Sequence, residues 1–243
     1  MMLKIEKPSI FKYLENLNNK YIKLEKEIKQ KSEKIKLEVE EMKKKLKNIE
    51  QFQLRYDNNN ATYYGEVKRG HDNGLGIWIW DKGDKYEGEF FDGNFDGIGI
   101  TYLDDGIYFG EFRNGNLNGF GVSTLKSGRL YEGDWINGRA TGIGITTLEN
   151  GLIYIGQTKD AAFSGTGKFI YANGNYFIGS VYEGGRNGLT YFSNEQGIFD
   201  AKYEYNEALD QSIGIGIFYF LNGMKQERKR IIKGKEKPKW EYL

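Results

Sequence analysis

The sequence predicts a mainly β protein: an open, solenoid-like meander of about seven β-hairpins, preceded by a long N-terminal α-helix that we interpret as a coiled coil. Two observations lead to this prediction. Thirty-one of the 33 glycines occupy five positions of one register, which repeats from Tyr63 to about Gln226. Residues 9–56 contain no glycine or proline, and their apolar side chains recur every seven residues, as in an amphipathic helix.

Each repeat starts at an aromatic residue, numbered position 0, and its glycines follow at positions 2, 7, 11, 13 and 20. A fixed period of this kind is typical of stacked repeats that contact only their neighbours. The seven starts are Tyr63, Tyr86, Tyr108, Tyr131, Tyr154, Phe177 and Tyr203. The glycines inside the predicted strands of repeats one to five include Gly65, Gly88, Gly110, Gly133 and Gly156 at position 2, Gly97, Gly119, Gly142 and Gly165 at position 11, and Gly99, Gly121, Gly144 and Gly167 at position 13.

The repeat itself predicts a β-hairpin. Even positions 0, 2 and 4 alternate with odd positions 1, 3 and 5, so they occupy opposite faces of a strand. Glycines at positions 7 and 20 are explained by turns that need a positive φ. For the glycines inside the strands, including Gly97 and Gly119, we expect an aromatic ring to lie flat across the bare backbone. A single closed barrel is the alternative architecture, because an open meander leaves two edge strands.

The pattern Tyr-x-Gly-(Glu/Asp)-(Trp/Phe)-x-x-Gly-x-x-x-Gly-x-Gly resembles the MORN repeat (membrane occupation and recognition nexus). Repeats two, three and four match best: YEGEFFDGNFDGIG at 86–99, YFGEFRNGNLNGFG at 108–121 and YEGDWINGRATGIG at 131–144. The resemblance covers residues 63–226. Departures cluster late, such as Ala161 and Thr190 in place of glycine, and atypical terminal repeats are what capping predicts.

The N-terminal segment carries a heptad pattern with a weakened middle. The first apolar position holds Leu14, Tyr21, Ile28, Ile35, Met42 and Ile49; the companion position holds Leu17 and Leu24 but then Lys31, Glu38 and Lys45. We interpret the pattern as a coiled-coil seam for a second copy or another protein. A solvated helix, or one that folds back on the array, is the alternative. The predicted domains are a helical segment (1–56), a linker (57–62), the MORN array (63–226) and a basic C-terminal tail (227–243).

Charge is segregated along the chain although the net charge is only +1. Residues 1–56 carry +6, residues 57–224 carry −10 and residues 225–243 carry +5. The chain has no cysteine, which excludes disulfides and cysteine-based zinc sites. Its apolar runs are too short for a transmembrane helix, and no signal peptide is visible, so we expect an intracellular protein.

The search for chemistry predicts no catalytic, cofactor or metal site and therefore no enzyme. His71 is the only histidine, and it lies in a predicted turn. The many Gly-x-Gly pairs are explained by the repeat and are not followed by a helix, as a dinucleotide fingerprint requires. Four acids recur at position 3, and we expect them to form a ladder that binds turns or faces solvent: Glu66, Glu89, Glu111 and Asp134.

The resemblance implies a scaffold protein in a ciliary (axonemal, radial-spoke-like) or cortical cytoskeletal assembly. We expect it to bind other proteins through the helix and the array, and to self-associate. Besides the heptad residues, the predicted partner-binding residues are Trp78, Trp80, Phe90, Phe112, Trp135 and Trp240. The alternative function is a membrane-associated phospholipid-binding adaptor. The acidic array counts against both anionic lipid and nucleic acid, which leaves only the basic tail for lipid.

Overall fold

The computed structural model describes residues 9–47, 53–57, 61–182, 185–192, 197–206, 211–220, 222, 224–233 and 239–242. The chain divides into two compact units. The first unit contains Lys26–Glu149 and Thr158–Ala162, and the second contains Met1–Glu25, Asn150–Gln157 and Phe163–Leu243. Each unit therefore contains its own part of the array and its own part of the N-terminal helix.

The described residues form one helix and seventeen strands. Helix α1 (Ser9–Leu46) precedes β1 (Gln53–Asp57), β2 (Ala61–Lys68), β3 (His71–Trp80), β4 (Lys85–Phe91), β5 (Asn94–Leu103), β6 (Gly106–Arg113), β7 (Asn116–Leu125), β8 (Leu130–Ile136) and β9 (Arg139–Thr147). Then follow β10 (Ile153–Lys159), β11 (Ala162–Ile170), β12 (Tyr176–Tyr182), β13 (Gly185–Phe192), β14 (Gly197–Asn206), β15 (Gln211–Phe220), β16 (Lys225–Lys233) and β17 (Lys239–Tyr242).

Antiparallel pairing joins consecutive strands from β1 to β9 in the first unit and from β11 to β17 in the second. Each repeat supplies one hairpin. Its tight turn has two residues in the left-handed region, as at Asp92 (φ 48°) and Gly93 (φ 81°), which suits the twist of the flanking strands. The architecture is the predicted open meander of hairpins and not the closed barrel.

The glycine pairs leave room for the aromatic ring that starts each repeat. In repeat two, Gly88 pairs with Gly99 across the hairpin, and a Cβ on either residue would overlap the phenol ring of Tyr86. Tyr63, Tyr131 and Tyr154 lie over their own glycine pairs in the same way. We call the side of the sheet that carries these rings the aromatic face.

Position 11 has a different role from the one that we expected. A Cβ on Gly97 would meet the Glu89 side chain, not a ring, and the residue has a φ of 110°. Gly119 is equivalent, with Glu111 beside it. The ring prediction is therefore wrong at this position, because a β-bulge after position 2 displaces the return strand there and brings the position-3 acid over the glycine.

Helix α1 packs on the opposite side of the sheet, which we call the helix face. In the first unit, Val39, Met42 and Leu46 cluster with Ile100. Ser32 contacts Glu132 in β8, three strands from Ile100 in β5. The ten residues from Ser32 to Met42 rise about 15 Å, and three strand spacings measure about 14 Å. The helix therefore crosses about one hairpin per heptad.

This match corrects the coiled-coil interpretation. Leu14, Tyr21, Ile28, Ile35 and Met42 are buried within the single chain, so the alternative in which the helix folds back on the array is the one observed. The companion residues Leu17 and Leu24 are only half-buried. The second buried row lies four residues after the first instead, at Ser32, Val39 and Leu46. Ile49 lies outside the described residues.

The ends of the array also differ from the predicted boundaries. Helix α1 ends at Leu46, and β1 adds a strand against β2 before the first repeat. At the other end, the segment predicted as a tail forms β16 and β17, which extend the meander. Both additions satisfy backbone groups that the outermost hairpins would otherwise leave unpaired.

We expect Gly99→Val to lower the free energy of unfolding by about 2–3 kcal/mol, because the new side chain overlaps Tyr86. Urea titration followed by tryptophan fluorescence measures the change. Gly83→Asn is the control: Gly83 lies in the connection between β3 and β4, with φ 93°, where a Cβ meets no atom within 4 Å. Equal losses in both variants would contradict the packing of the ring over the glycine pair.

Candidate interaction surfaces

The aromatic face buries its own tyrosines. Tyr63, Tyr86 and Tyr154 have no exposed surface. Each hydroxyl donates to the backbone carbonyl at position 3, as from Tyr86 to Glu89 at 2.9 Å and from Tyr154 to Gln157 at 2.7 Å. Burial raises the pKa of Tyr86, so this hydroxyl stays protonated. These residues stabilise the repeat and are not available to a partner.

Three of the six predicted aromatic partner residues are buried in this internal packing. Phe90, Phe112 and Trp135 are buried in the cluster that surrounds Tyr86 and Tyr131, which corrects their assignment to a partner surface. Trp78 and Trp80 remain half-buried, with ring centroids 6.2 Å apart, and Phe95 lies 5.9 Å from Trp80. We call these three side chains the tryptophan patch. Trp240 lies in β17, and its side chain is outside the described part of the chain.

Repeat three departs from this pattern. The Tyr108 hydroxyl donates to Asp105 at 2.6 Å instead of to a carbonyl at position 3. Burial, together with the Asp105 carboxylate, raises the pKa of Tyr108 to about 12. The Trp135 ring lies against Gly121, where the other repeats place their own tyrosine. The sequence gives no sign of this exchange, because Tyr108 fits the register as well as the other starts do.

The acids at position 3 form a ladder, but they bind N–H groups inside the return strands and not the turns that we expected. Their side chains accept the backbone N–H of position 12 across the bulge, as in Glu89 to Ile98 (2.8 Å), Glu111 to Phe120 (2.9 Å) and Asp134 to Ile143 (2.8 Å). Gln157 accepts from Thr166 in the same way at 2.7 Å. Because an amide serves as well as a carboxylate, the site needs an acceptor and not a negative charge.

The helix face positions α1 by buried polar groups. In the first unit, Glu132 is 2% exposed and accepts hydrogen bonds from Lys29 and from Ser32, the latter at 2.5 Å. In the second unit, buried Lys168 donates to Asn18 at 2.6 Å. Burial lowers the pKa of Lys168, and the nearby Glu25 carboxylate opposes that shift. Each of these buried charges needs a polar partner, so an apolar side chain of α1 at the same place would destabilise the packing.

In the first unit, the tight turns of the five hairpins lie side by side, along the margin of the sheet where the strands end. We call it the turn edge: residues 68–71, 91–94, 113–116, 136–139 and 159–162, which are positions 5–8 of repeats one to five. The N–H groups of Gly93, Gly115, Gly138 and Ala161 donate to position-9 carbonyls of the preceding repeats at 2.9–3.0 Å. These bonds tie each turn to the next, so the edge presents its side chains in a fixed register.

The turn edge is basic although the array as a whole is acidic. It carries five Lys or Arg and two Asp. Position 5 lies on the helix face and is exposed in all five repeats. This position-5 row alternates bases with apolar residues: Lys68, Phe91, Arg113, Ile136 and Lys159. Phe91 is 67% exposed and Ile136 is 52% exposed.

The C-terminal bases are partly engaged in packing. The Arg228 guanidinium lies 4.5 Å from the Phe218 ring centroid, and that of Arg230 lies 4.3 Å from the Phe192 ring centroid. Both arginines therefore cover rings at the end of the array through cation–π contacts. This placement weakens the expectation that the basic tail is a free contact for anionic lipid.

Comparison with known families agrees with this geometry. The MORN repeat family model matches residues 63–85, 86–107, 108–128, 131–153 and 154–176. The chain is a MORN-repeat protein. No curated protein matches it significantly. MORN repeats are typically modules for protein or membrane interaction, which is consistent with a non-catalytic scaffold.

The described residues of this MORN-repeat protein hold no group of three or more His, Cys, Asp or Glu side chains arranged to bind a metal ion. His71 is exposed at the turn edge. In the described part of the chain, no helix combines the length and apolar character that crossing a membrane requires. Among the described residues, the tryptophan patch and the position-5 row are two surfaces on which a partner could bind.

Sequence reasoning missed the position-5 row. The row could have been found in the sequence, because the residue before each turn always falls at position 5 of the repeat. The row was overlooked because its members differ in chemistry, whereas we looked for aromatic residues that recur. The polar contacts of Ser32 and Asn18 were missed because a coiled-coil interpretation assigns no role to polar residues four positions after the seam.

We expect Ser32→Ala to lower the free energy of unfolding by about 1–3 kcal/mol, because buried Glu132 loses a hydrogen-bond donor. Adding Glu132→Val should recover part of this loss, since the buried carboxylate is then absent. A double-mutant cycle in urea measures the coupling. Additive effects of the two substitutions would contradict the contact. Ser127→Ala, at an exposed turn, is the control and should change nothing.

We expect the double variant Ile28→Asp with Ile35→Asp to release α1 from the sheet, because both side chains are buried. Protease cleavage within residues 20–46 should become faster, and the array should keep its β-type circular dichroism. The mass by light scattering should not fall relative to the parent chain. A fall in mass would restore the coiled-coil interpretation of the seam. Leu37→Asp is the control, since Leu37 is 67% exposed.

Proposed function

We propose that this protein is a non-catalytic scaffold, a structural component of a ciliary (axonemal, radial-spoke-like) or cortical cytoskeletal assembly. The observation that carries the proposal is the position-5 row. It repeats one exposed side chain per hairpin on a hydrogen-bonded edge, which suits the binding of an elongated partner at a fixed register. The half-buried rings of the tryptophan patch add a second surface, and such aromatic residues are enriched at protein interfaces.

The MORN repeat family supports the interaction role, and the resemblance to ciliary and cortical MORN components motivates the choice of assembly. Self-association remains part of this proposal. It would have to use a surface other than the heptad seam, because α1 buries that seam against the sheet.

Detergent fractionation of native cells that express the tagged full chain tests this function. We expect the protein to stay in the detergent-insoluble, salt-resistant pellet and to bring down ciliary or cortical proteins identified by mass spectrometry. The tag alone is the control and should be released. Release of the full chain by detergent, together with membrane proteins, would contradict the scaffold function and favour the phospholipid-binding adaptor.

The adaptor alternative requires the protein to be attracted to an anionic membrane, and the negative charge of the array opposes this attraction. Residues 57–224 carry −10, and an anionic leaflet repels such a segment. The C-terminal bases that could offset this charge include Arg228, which is buried against Phe218. Among the described C-terminal bases, Lys225 and Lys229 are at least partly exposed on β16 and are candidates for a lipid contact.

A further inference from the structure

The position-5 row has the spacing of a helix-binding surface. Neighbouring members lie one hairpin apart, which is about 10 Å for two strands. Seven residues of α-helix rise about 10.5 Å. Helix α1 already uses this match in the first unit, where ten of its residues cross three strands between Ser32 and Met42. A second helix laid along the row would therefore meet one row member per heptad.

The position of the row relative to α1 also suits a second helix. Helix α1 packs over positions 1 and 14, as at Glu132 and Ile100. A helix seated between positions 3 and 5 lies about three strand residues further along, or about 10 Å away. Packed helices are separated by about 8–10 Å. The second helix could then contact both the sheet and the flank of α1.

A cleft between α1 and the sheet opens on this side. It has a volume of about 180 Å³, and its lining includes Glu38, Glu41, Leu75, Glu89 and Ile98. Lys45 also lines the cleft, so three carboxylates and one lysine leave the inner side of the surface net acidic and partly apolar. The outer side, at the turn edge, is basic. A partner helix that fits both sides must place its acidic flank outward, over the bases.

We propose that the turn edge of the first unit binds an α-helix of a partner protein, laid alongside α1, with an acidic outer flank and an apolar residue about every second heptad. Phe91 and Ile136 are two hairpins apart, or about 19 Å, which corresponds to about thirteen helical residues. Acidic residues in the alternate heptads face Lys68, Arg113 and Lys159. This inference rests on the proposed scaffold function and specifies one of its partners.

A synthetic peptide tests the proposal. It has about five heptads, glutamate along the outer flank, leucine every second heptad and glutamine on the inner flank. A second peptide has lysine in place of each glutamate. Fluorescence anisotropy with the full chain should show that the glutamate peptide binds at least about tenfold more tightly, a difference of about 1.4 kcal/mol. Phe91→Ser and Arg113→Glu should each weaken its binding by about tenfold or more.

Ile107→Ser is the matched control, because Ile107 is a 40% exposed apolar residue near the opposite edge of the sheet. Its binding should match that of the parent chain. Equal binding of both peptides, or binding unchanged by Phe91→Ser, would overturn the proposal. So would binding to phosphatidylserine vesicles that Phe91→Ser abolishes, because the row would then be a membrane contact.

The two experiments separate this inference from the scaffold function. If the peptide fails to bind while the protein stays in the cytoskeletal pellet, the helix-binding surface is wrong and the scaffold function stands. If the peptide binds as expected while detergent releases the protein, the surface stands and the cytoskeletal function is wrong.

Discussion

The packing of an aromatic ring over a pair of glycines sets the geometry of every regular repeat. Tyr86 fits only because Gly88 and Gly99 face each other without side chains. The ring then lies close enough for its hydroxyl to reach the carbonyl of Glu89. The bulge that follows Gly88 leaves the N–H of Ile98 without a ladder partner, and the Glu89 carboxylate accepts it. The space that the ring needs over the glycine pair thus accounts for the tyrosine at position 0, the glycines at positions 2 and 13 and the acid at position 3.

The second constraint is the agreement between the heptad of α1 and the period of the hairpins. Both measure about 10 Å, so a regular helix meets equivalent sheet positions at each heptad. Apolar contacts alone would allow the helix to slide by one repeat. Glu132 in the first unit and Lys168 in the second oppose such a shift, because each needs a particular polar partner on the helix. The polar residues therefore contribute the register, and the apolar residues contribute most of the stability.

Internal packing occupies much of both faces of the array. The aromatic face buries its own rings, and α1 covers part of the helix face. In the described part of the chain, the tryptophan patch and the turn edge lie at the margins of this packing. The edge gains its order from bonds between successive turns. A scaffold benefits from this arrangement, since side chains at the margin can vary from repeat to repeat without disturbing the packing that defines the repeat.

The sequence by itself determined the hairpin array, its register and the acid ladder, because each is a local consequence of residues within one repeat. Glycine at position 7 follows from the same local rules, because the turn there needs a positive φ. Only the tertiary structure decided what the heptads of α1 pack against. A seam for a second helix and a seam for a sheet with a period of about 10 Å have the same spacing, so periodicity cannot distinguish them. The same limit applies to Phe90 and Trp135, since alternation assigns each to a face but does not tell whether neighbouring rings bury it.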